Sequence, residues 1–210
     1  MFKTAGNGSN RGLTRRGFLK GAGVTAAGAA IVETGLASFA EAAEQEKSRA
    51  VLGPGSISIT LKVNGVEKKL DIEPRTTLAE ALRVKLDMTG TKVVCDRGAC
   101  SACTVHIDGT PMLSCMTLAV AAQGKEIKTI EGLAQGDQLH PVQEQFIVHD
   151  AMQCGFCTPG MIMSCAALLQ KNPSPSLDDV KQAVSGNLCR CGTYPKVFAA
   201  TLAAAQPKTT

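Results

Sequence analysis

Two sets of cysteines constrain this chain more than any other feature. The first set has the spacing C-x4-C-x2-C, followed by a fourth cysteine after eleven further residues: Cys95, Cys100, Cys103 and Cys115. The second set joins a C-x2-C pair to a later C-x-C pair: Cys154, Cys157, Cys189 and Cys191. A ferric–sulfide centre needs four soft, anionic ligands, and thiolates meet that need. The spacing therefore predicts an electron-carrying protein with two iron–sulfur clusters.

The first set is typical of a plant-type [2Fe–2S] site. Small residues fill the loop between its cysteines: Gly98, Ala99, Ser101 and Ala102. They allow the backbone to approach the metal site and direct N–H groups at the sulfurs, which offsets the cost of burying negative charge. The alternative is a structural zinc site, but zinc sites prefer paired C-x2-C ligands. The spacing therefore favours a [2Fe–2S] cluster.

The spacing of the second set leaves three possibilities open. Cys154 and Cys157 could form a thioredoxin-like dithiol, or a zinc site together with Cys189 and Cys191. A cluster is favoured because Cys157 directly precedes a predicted helix, and the positive end of a helix stabilises an anionic group.

The N-terminus predicts export. Residues 14–20 read TRRGFLK and precede a Gly/Ala/Val-rich run at 21–32. This is a twin-arginine signal, which we place at 1–42 with a cleavage site at Ala40-Glu41-Ala42. The apolar run is too short for a membrane span, which needs about 20 residues. The twin-arginine translocase would be a transient partner and the periplasm the destination. Since this route carries folded proteins, clusters can be built first in the reducing cytoplasm.

The charge and the cysteine count exclude two classes of protein. The formal charge of +4 falls to +1 without residues 1–42, which hold five Lys/Arg and two acids. No basic cluster with interleaved aromatic residues is present, so nucleic-acid binding has no support. Nine cysteines, an odd number, do not suit a disulfide framework.

The first half of the chain reads as a small domain at 56–132, after a linker at 43–55. Apolar residues alternate along 57–63, Asn64-Gly65 forms a hairpin turn, and 66–72 returns as the partner strand. Thr77 and Glu80 form a capping box for a helix that ends near 86. Further strands are predicted at 104–107, 111–115 and 127–130. The pattern predicts an α+β fold and suggests the β-grasp, plant-ferredoxin-like topology.

The second half reads as a helical domain at 137–205. Pro141 opens a first helix in which Val142, Phe146 and Ile147 share a face. Further helices are predicted at 158–170, from the cap Ser176 to about 185, and from Pro195 to 204. Four short helices with short loops predict a four-helix bundle.

Three segments resemble a known family. They are VCDRGACSACT (94–104), QCGFCTPGM (153–161) and SGNLCRCGTYP (185–195). They resemble the iron–sulfur subunit of molybdenum hydroxylases, the xanthine oxidase and aldehyde oxidoreductase family. The resemblance covers residues 56–205. Together with the export signal, these segments resemble the small subunit of periplasmic aldehyde oxidoreductases.

The resemblance implies a ligand set and partners. Cys95, Cys100, Cys103 and Cys115 would bind the ferredoxin-like cluster, and Cys154, Cys157, Cys189 and Cys191 the helical-domain cluster. Gln153 and Cys191 would lie near the molybdopterin cofactor of a separate large subunit, and a third subunit would bind FAD. Electrons would pass from molybdenum through both clusters to FAD. The chain itself would hold no substrate site and no catalytic residue.

Two rival functions stay open: a free-standing periplasmic ferredoxin-like carrier and a zinc-bound assembly factor. We expect Cys165 to be a buried hydrophobic residue, because it lies about two helical turns beyond Cys157. Three histidines are expected at the surface or as caps (His106, His140 and His149), and three methionines in packing (Met152, Met161 and Met163). Arg190, between two cysteines, could shape the field of a cluster or contact a partner.

Overall fold

The computed structural model describes residues 52–205. The predicted signal at 1–42 and most of the predicted linker lie outside these residues. Five strands occupy the first half, at Ile57–Val63 (β1), Val66–Ile72 (β2), Thr104–Ile107 (β3), Thr110–Leu113 (β4) and Glu126–Lys128 (β5). Helical segments lie at Leu78–Glu80 (α1), Pro141–Val148 (α2), Thr158–Lys171 (α3), Leu177–Ala183 (α4) and Tyr194–Ala204 (α5). The α+β prediction is confirmed.

The strands form one mixed sheet in the order β2-β1-β5-β3-β4. β1 runs parallel to β5, and the other neighbours are antiparallel. The alternation predicted for β1 is confirmed, since Ile59, Leu61 and Val63 are buried while the residues between them are exposed. These side chains join those of β2, α1, β3 and β5 in an aliphatic core under the sheet.

The end of β4 differs from the prediction. Cys115 does not extend the strand but lies in a 3₁₀ turn at Ser114–Met116. The reason is local: the backbone N–H and the hydroxyl of Ser114 both donate to the Cys103 carbonyl, at 3.3 and 2.7 Å. These bonds turn the chain away from the sheet and hold Cys115 beside Cys103. The last strand, β5, is also shorter than predicted and ends at Lys128.

The helix after Thr77 begins as predicted. The Thr77 hydroxyl accepts the Glu80 N–H at 3.2 Å, which is one half of the predicted capping box. The helix then widens into a π-helical segment at Ala81–Lys85, and the Leu86 N–H donates to the Ala81 carbonyl at 3.1 Å. The predicted end near residue 86 is confirmed, but the π-helical winding was not predicted.

The second half holds four helices among the described residues. His140 caps α2 through its Nδ1, and Ser176 forms a capping box with Asp179 at the start of α4. Val142 and Phe146 are buried as predicted, but Ile147 is exposed. That prediction was wrong because five residues rotate a helix by about 140° beyond one full turn, which takes Ile147 off the buried face. α4 ends at Ala183, before the predicted 185.

β3 is buried along its whole length, and the Nε2 of His106 on β3 donates to the Met163 carbonyl of α3 at 2.8 Å. The prediction that His106 lies at the surface was therefore wrong. An isolated sheet would expose one face of β3, but α3 covers it here. Among residues 52–205 no helix has the length and apolar character needed to cross a bilayer.

Candidate metal centres

The first set of cysteines lies in a loop that bends around its own sulfurs. Asp96, Gly98 and Ser101 all have positive φ. At Gly98 a side chain would also meet Met116, since an added Cβ would lie 3.0 Å from its Cγ. The bends direct backbone N–H groups inward, and the Ala99 N–H donates to the Cys95 sulfur at 3.3 Å.

The loop brings the four thiols together in two adjacent pairs. Cys95 lies beside Cys100, and Cys115 lies beside Cys103. Cys95 and Cys115 are also close enough to interact electrostatically. Cys100, Cys103 and Cys115 are buried, while Cys95 is half-buried. The sulfurs of these four cysteines, which span residues 95 to 115, thus form one compact group.

The backbone prepares one of these thiols to ionise. Hydrogen bonds from the Arg97 N–H, the Cys100 thiol and further backbone N–H groups lower the pKa of Cys95 to about 7. Burial, together with its bond to Cys103, raises the pKa of Cys115 to about 11. A positive metal centre would favour the thiolate at Cys115, where burial alone disfavours it.

The second set is assembled from distant segments. Cys154 and Cys157 lie before α3, and Cys189 and Cys191 lie in the loop between α4 and α5. Cys154 lies beside Cys191, and Cys157 lies beside Cys189. The first cysteine of this set therefore pairs with the last, and the two inner cysteines pair with each other.

Cys157 is the N-cap of α3, as its position in the sequence predicted. Burial raises its pKa to about 12. Burial also opposes ionisation of Cys189, but hydrogen bonds from Thr193 and from the Cys157 thiol outweigh it and lower the pKa of Cys189 to about 7. The Cys189 sulfur lies 3.2 Å from the Thr193 hydroxyl. The pair thus combines one readily ionised thiol with one buried thiol.

The residues present fit a [2Fe–2S] group in each half. Both sets offer only thiols, and each set is divided into two pairs of thiols, as two tetrahedral irons joined by sulfides require. Within residues 52–205, no three or more His, Cys, Asp or Glu side chains are arranged to hold a single ion. Beside Cys157, the buried hydroxyl of Thr158 has no hydrogen-bond partner among the described residues. A sulfur-rich anionic group there could accept a hydrogen bond from this hydroxyl.

Gln153 and Cys191 line the same cleft, of about 350 Å³. Asp150, Met152 and Thr193 line it as well. The two residues that the family resemblance associates with molybdopterin are thus brought together at the exposed side of the second set of cysteines. The Cys191 and Cys154 side chains reach the surface there.

Cys165 is fully buried, as expected, and its sulfur accepts the Thr201 hydroxyl at 3.1 Å. Met161 and Met163 are buried in the helical core, and Met152 is more than one-third exposed. His140 is a helix cap as expected, and His149 is the C-cap of α2. Arg190 is exposed.

Sequence reasoning missed two residues that organise the second set of cysteines. The Tyr194 hydroxyl accepts the Cys189 N–H and donates to the Asn187 carbonyl, both at 2.8 Å. Asn187 is buried and donates from its side chain to the Ser101 carbonyl at 3.2 Å. Both residues lie in the segment 185–195, but the cysteine spacing gives no sign of the Tyr194 bonds within that segment or of the contact between Asn187 and the distant Ser101.

Comparison with protein families gives three matches. Residues 61–129 match the 2Fe-2S iron-sulfur cluster binding domain, and residues 129–202 match the [2Fe-2S] binding domain. Residues 12–32 match the twin-arginine translocation pathway signal sequence, so the chain carries a signal for export to the periplasm. The predicted export signal is therefore confirmed, although it lies outside the residues that the structure describes.

Comparison with whole proteins gives relatives in the same class. The aldehyde oxidoreductase iron-sulfur-binding subunit PaoA of Escherichia coli O157:H7 is 42% identical over 204 residues, covering 90% of this chain and 86% of that protein. Quinoline 2-oxidoreductase from Pseudomonas putida 86 is 47% identical with a TM-score of 0.70, covering 71% of this chain and 94% of that one. The aldehyde oxidoreductase from Desulfovibrio gigas is 40% identical with a TM-score of 0.67, covering 71% of this chain and 17% of that one.

Proposed function

Because this chain belongs to the iron–sulfur subunits of molybdenum hydroxylases, where it serves electron transfer in an oxidoreductase, we propose that its two sets of cysteines hold one [2Fe–2S] cluster each. Cys95, Cys100, Cys103 and Cys115 are the ligands of the first, and Cys154, Cys157, Cys189 and Cys191 of the second. The observation that carries this assignment is that each set offers thiols alone, with the Ala99 N–H directed at the Cys95 sulfur in the first and the Thr193 hydroxyl beside the Cys189 sulfur in the second.

The neighbouring thiols show how the chain would hold each group. In the first set, Cys95 lies beside Cys100 and Cys103 beside Cys115, and all four thiolates would hold the group. In the second set, Cys154 lies beside Cys191 and Cys157 beside Cys189, and these four would do the same. When bound, each cluster supplies a site that accepts and releases one electron. The chain supplies the thiolates, the backbone N–H donors and the burial that stabilise it.

The cleft around Gln153 and Cys191 faces the molybdenum site of the complex. We assign it to the pterin part of a molybdopterin cofactor that a separate large subunit holds. The Gln153 amide can donate and accept hydrogen bonds, which suits the polar edge of a pterin. Cys191 is exposed in the same cleft, so its cluster is the one nearer to molybdenum.

The first cluster lies on the side from which electrons leave the chain, towards FAD on a third subunit. Apolar side chains are exposed around the loop of Cys95, among them Val94 and Met116, each with more than half of its surface accessible. Exposed apolar residues next to a redox site suit a protein contact that excludes water. Electrons would therefore enter at the helical half and leave at the sheet half.

We propose that the two halves are separate cluster-binding domains, a β-grasp domain at 56–132 and a four-helix bundle at 137–205. The strand order β2-β1-β5-β3-β4 with β1 parallel to β5 supports the first. The core around Phe146, Met161 and Val197, which come from three different helices, supports the second.

The substrate class we propose for the complex is an aldehyde. The likeness to PaoA covers 90% of this chain and reaches into the export segment, whereas that to the nicotine 6-hydroxylase small subunit of Paenarthrobacter nicotinovorans covers 70%, at 45% identity against 42%. The alternative is a free-standing periplasmic ferredoxin-like carrier. The helical half argues against it, because a carrier of plant type needs only the sheet half.

Metal analysis tests the proposal. The protein, purified without air, should contain about four iron and four acid-labile sulfide per chain, and on reduction should give two distinct EPR signals. Stoichiometric zinc without sulfide would refute it. Co-purification with a large molybdopterin-binding subunit separates the proposed subunit from the free-standing carrier.

A further inference from the structure

The two cysteine loops are tied directly to each other. The Leu188 N–H donates to the Cys100 carbonyl at 3.1 Å, and the Asn187 side chain donates to the Ser101 carbonyl at 3.2 Å. Leu188 directly precedes Cys189, and Cys100 is itself a predicted ligand. Two neighbouring hydrogen bonds thus join a ligand-bearing loop of one half to a ligand-bearing loop of the other.

Asn187 is fully engaged in this connection. It is only 3% exposed, and its Oδ1 accepts the Ser164 hydroxyl of α3 at 3.0 Å while its Nδ2 reaches Ser101. Its carbonyl accepts the Tyr194 hydroxyl, which in turn accepts the Cys189 N–H. Neither Ala nor Asp could replace it, because Ala makes neither bond and Asp has no donor for the Ser101 carbonyl.

The same carbonyl is packed from the other side. An added Cβ at Gly160, in the first turn of α3, would lie 2.2 Å from the Ser101 oxygen. The backbone of α3 therefore approaches the first cysteine loop as closely as a residue without a side chain allows. Ser101 itself has a positive φ of 55° and bends its carbonyl into this contact.

We propose that Asn187 is a positioning residue that fixes the spacing and orientation of the two cluster sites relative to each other. This inference rests on the proposed function, since it concerns the two sites that the cysteines form. Asn187 touches neither set of sulfurs. It acts through the Ser101 carbonyl and through the loop that carries Leu188 and Cys189, with Gly160 supporting it from α3.

The experiment uses the intact complex with two variants and one control. Asn187→Ala removes the side-chain bonds, and Gly160→Ala forces the Ser101 carbonyl away from α3. The matched control is Asn172→Ala. Asn172 is the C-cap of α3 and bonds to Ser174 and Asp179, so its loss removes a comparable set of bonds far from both cysteine loops.

The main readout is the magnetic interaction between the two reduced clusters, measured by EPR on the fully reduced complex. This interaction depends steeply on distance and orientation, and a merely structural role would not change it. We expect both variants to alter the interaction splitting while iron and sulfide contents stay at the wild-type level. The control should keep the wild-type spectrum. If Asn187→Ala and Gly160→Ala both keep the wild-type splitting, the proposal is wrong.

A second readout separates this proposal from the proposed function. Hydrogen exchange of the peptide that contains Leu188 should be roughly tenfold faster in Asn187→Ala, because the loop loses the two side-chain bonds of Asn187, to Ser101 and Ser164. If the wild-type chain contains no iron, the proposed function is wrong, but hydrogen exchange still tests the contact between the two loops. In that case, unchanged exchange in Asn187→Ala refutes the contact, and faster exchange supports it. Should Asn187→Ala fail to fold, Gly160→Ala and the milder Asn187→Ser decide the question with the same measurements.

Discussion

The chain offers a sharp contrast between two cysteines of one helix. Cys157 caps the start of α3 and lies beside Cys189, while Cys165 lies eight residues further along. At a rise of about 1.5 Å per residue, the two lie about 12 Å apart along the axis, too far to share one four-thiolate centre. We therefore expect opposite results from the same change, cysteine to serine, at the two positions.

The expected effect of Cys165→Ser is on stability alone. The side chain is fully buried, so the change places a hydroxyl where a weakly polar thiol lay, at a cost of about 1–3 kcal/mol. Thr201 already points its hydroxyl at this position, and a hydrogen bond to it offsets about 1 kcal/mol. The net loss of about 0–2 kcal/mol should lower Tm by no more than roughly 8 °C. Iron, sulfide and both EPR signals should be unchanged.

Cys157→Ser should remove the cluster of the helical half. About two iron and two sulfide per chain should be lost, with one EPR signal, while the signal of the sheet half stays. The assay is EPR of the reduced, anaerobically purified protein together with metal and sulfide analysis. Loss of a cluster in Cys165→Ser, or two intact signals in Cys157→Ser, would show that the ligand set is wrong. Cys165→Ala, which adds no hydroxyl, serves as the packing control.

Three further results are expected. Arg15→Lys combined with Arg16→Lys should leave the protein in the cytoplasm, as cell fractionation would show, and normal export would refute the signal assignment. Burial lowers the pKa of His106 below its ordinary value of about 6.5. As the pH falls, this histidine therefore takes up a proton in the unfolded chain before it does so in the folded protein. Stability to denaturant should thus be complete above pH 6.5 and decline below it, and His106→Gln should reduce that decline; equal slopes for the two proteins would contradict this. Thr77→Ala should cost about 1 kcal/mol in a thermal melt by removing the cap of α1. Glu80→Ala should leave Tm unchanged, because the structure shows only the Thr77 half of the capping box.

Elements that depend on near neighbours in sequence were predictable. The alternation of β1, the turn at Asn64-Gly65 and the caps at Thr77 and Ser176 are all encoded within a few residues. Strand and helix ends were less predictable where a distant group intervened. Ser114 ends β4 early because its hydroxyl donates to the Cys103 carbonyl, eleven residues away. No local strand or turn propensity predicts that bond.

The sequence alone determined the two sets of thiols and the export signal, because soft ligands at fixed spacing and a twin-arginine run are chemical features of single segments. The tertiary structure decided how those thiols pair, with Cys154 beside Cys191 and Cys157 beside Cys189. It also buried His106 beneath α3 and tied Asn187 to the other cysteine loop. These contacts join residues that are about 30 to 90 positions apart, and only the packing of the helices against one another and against the sheet brings them together.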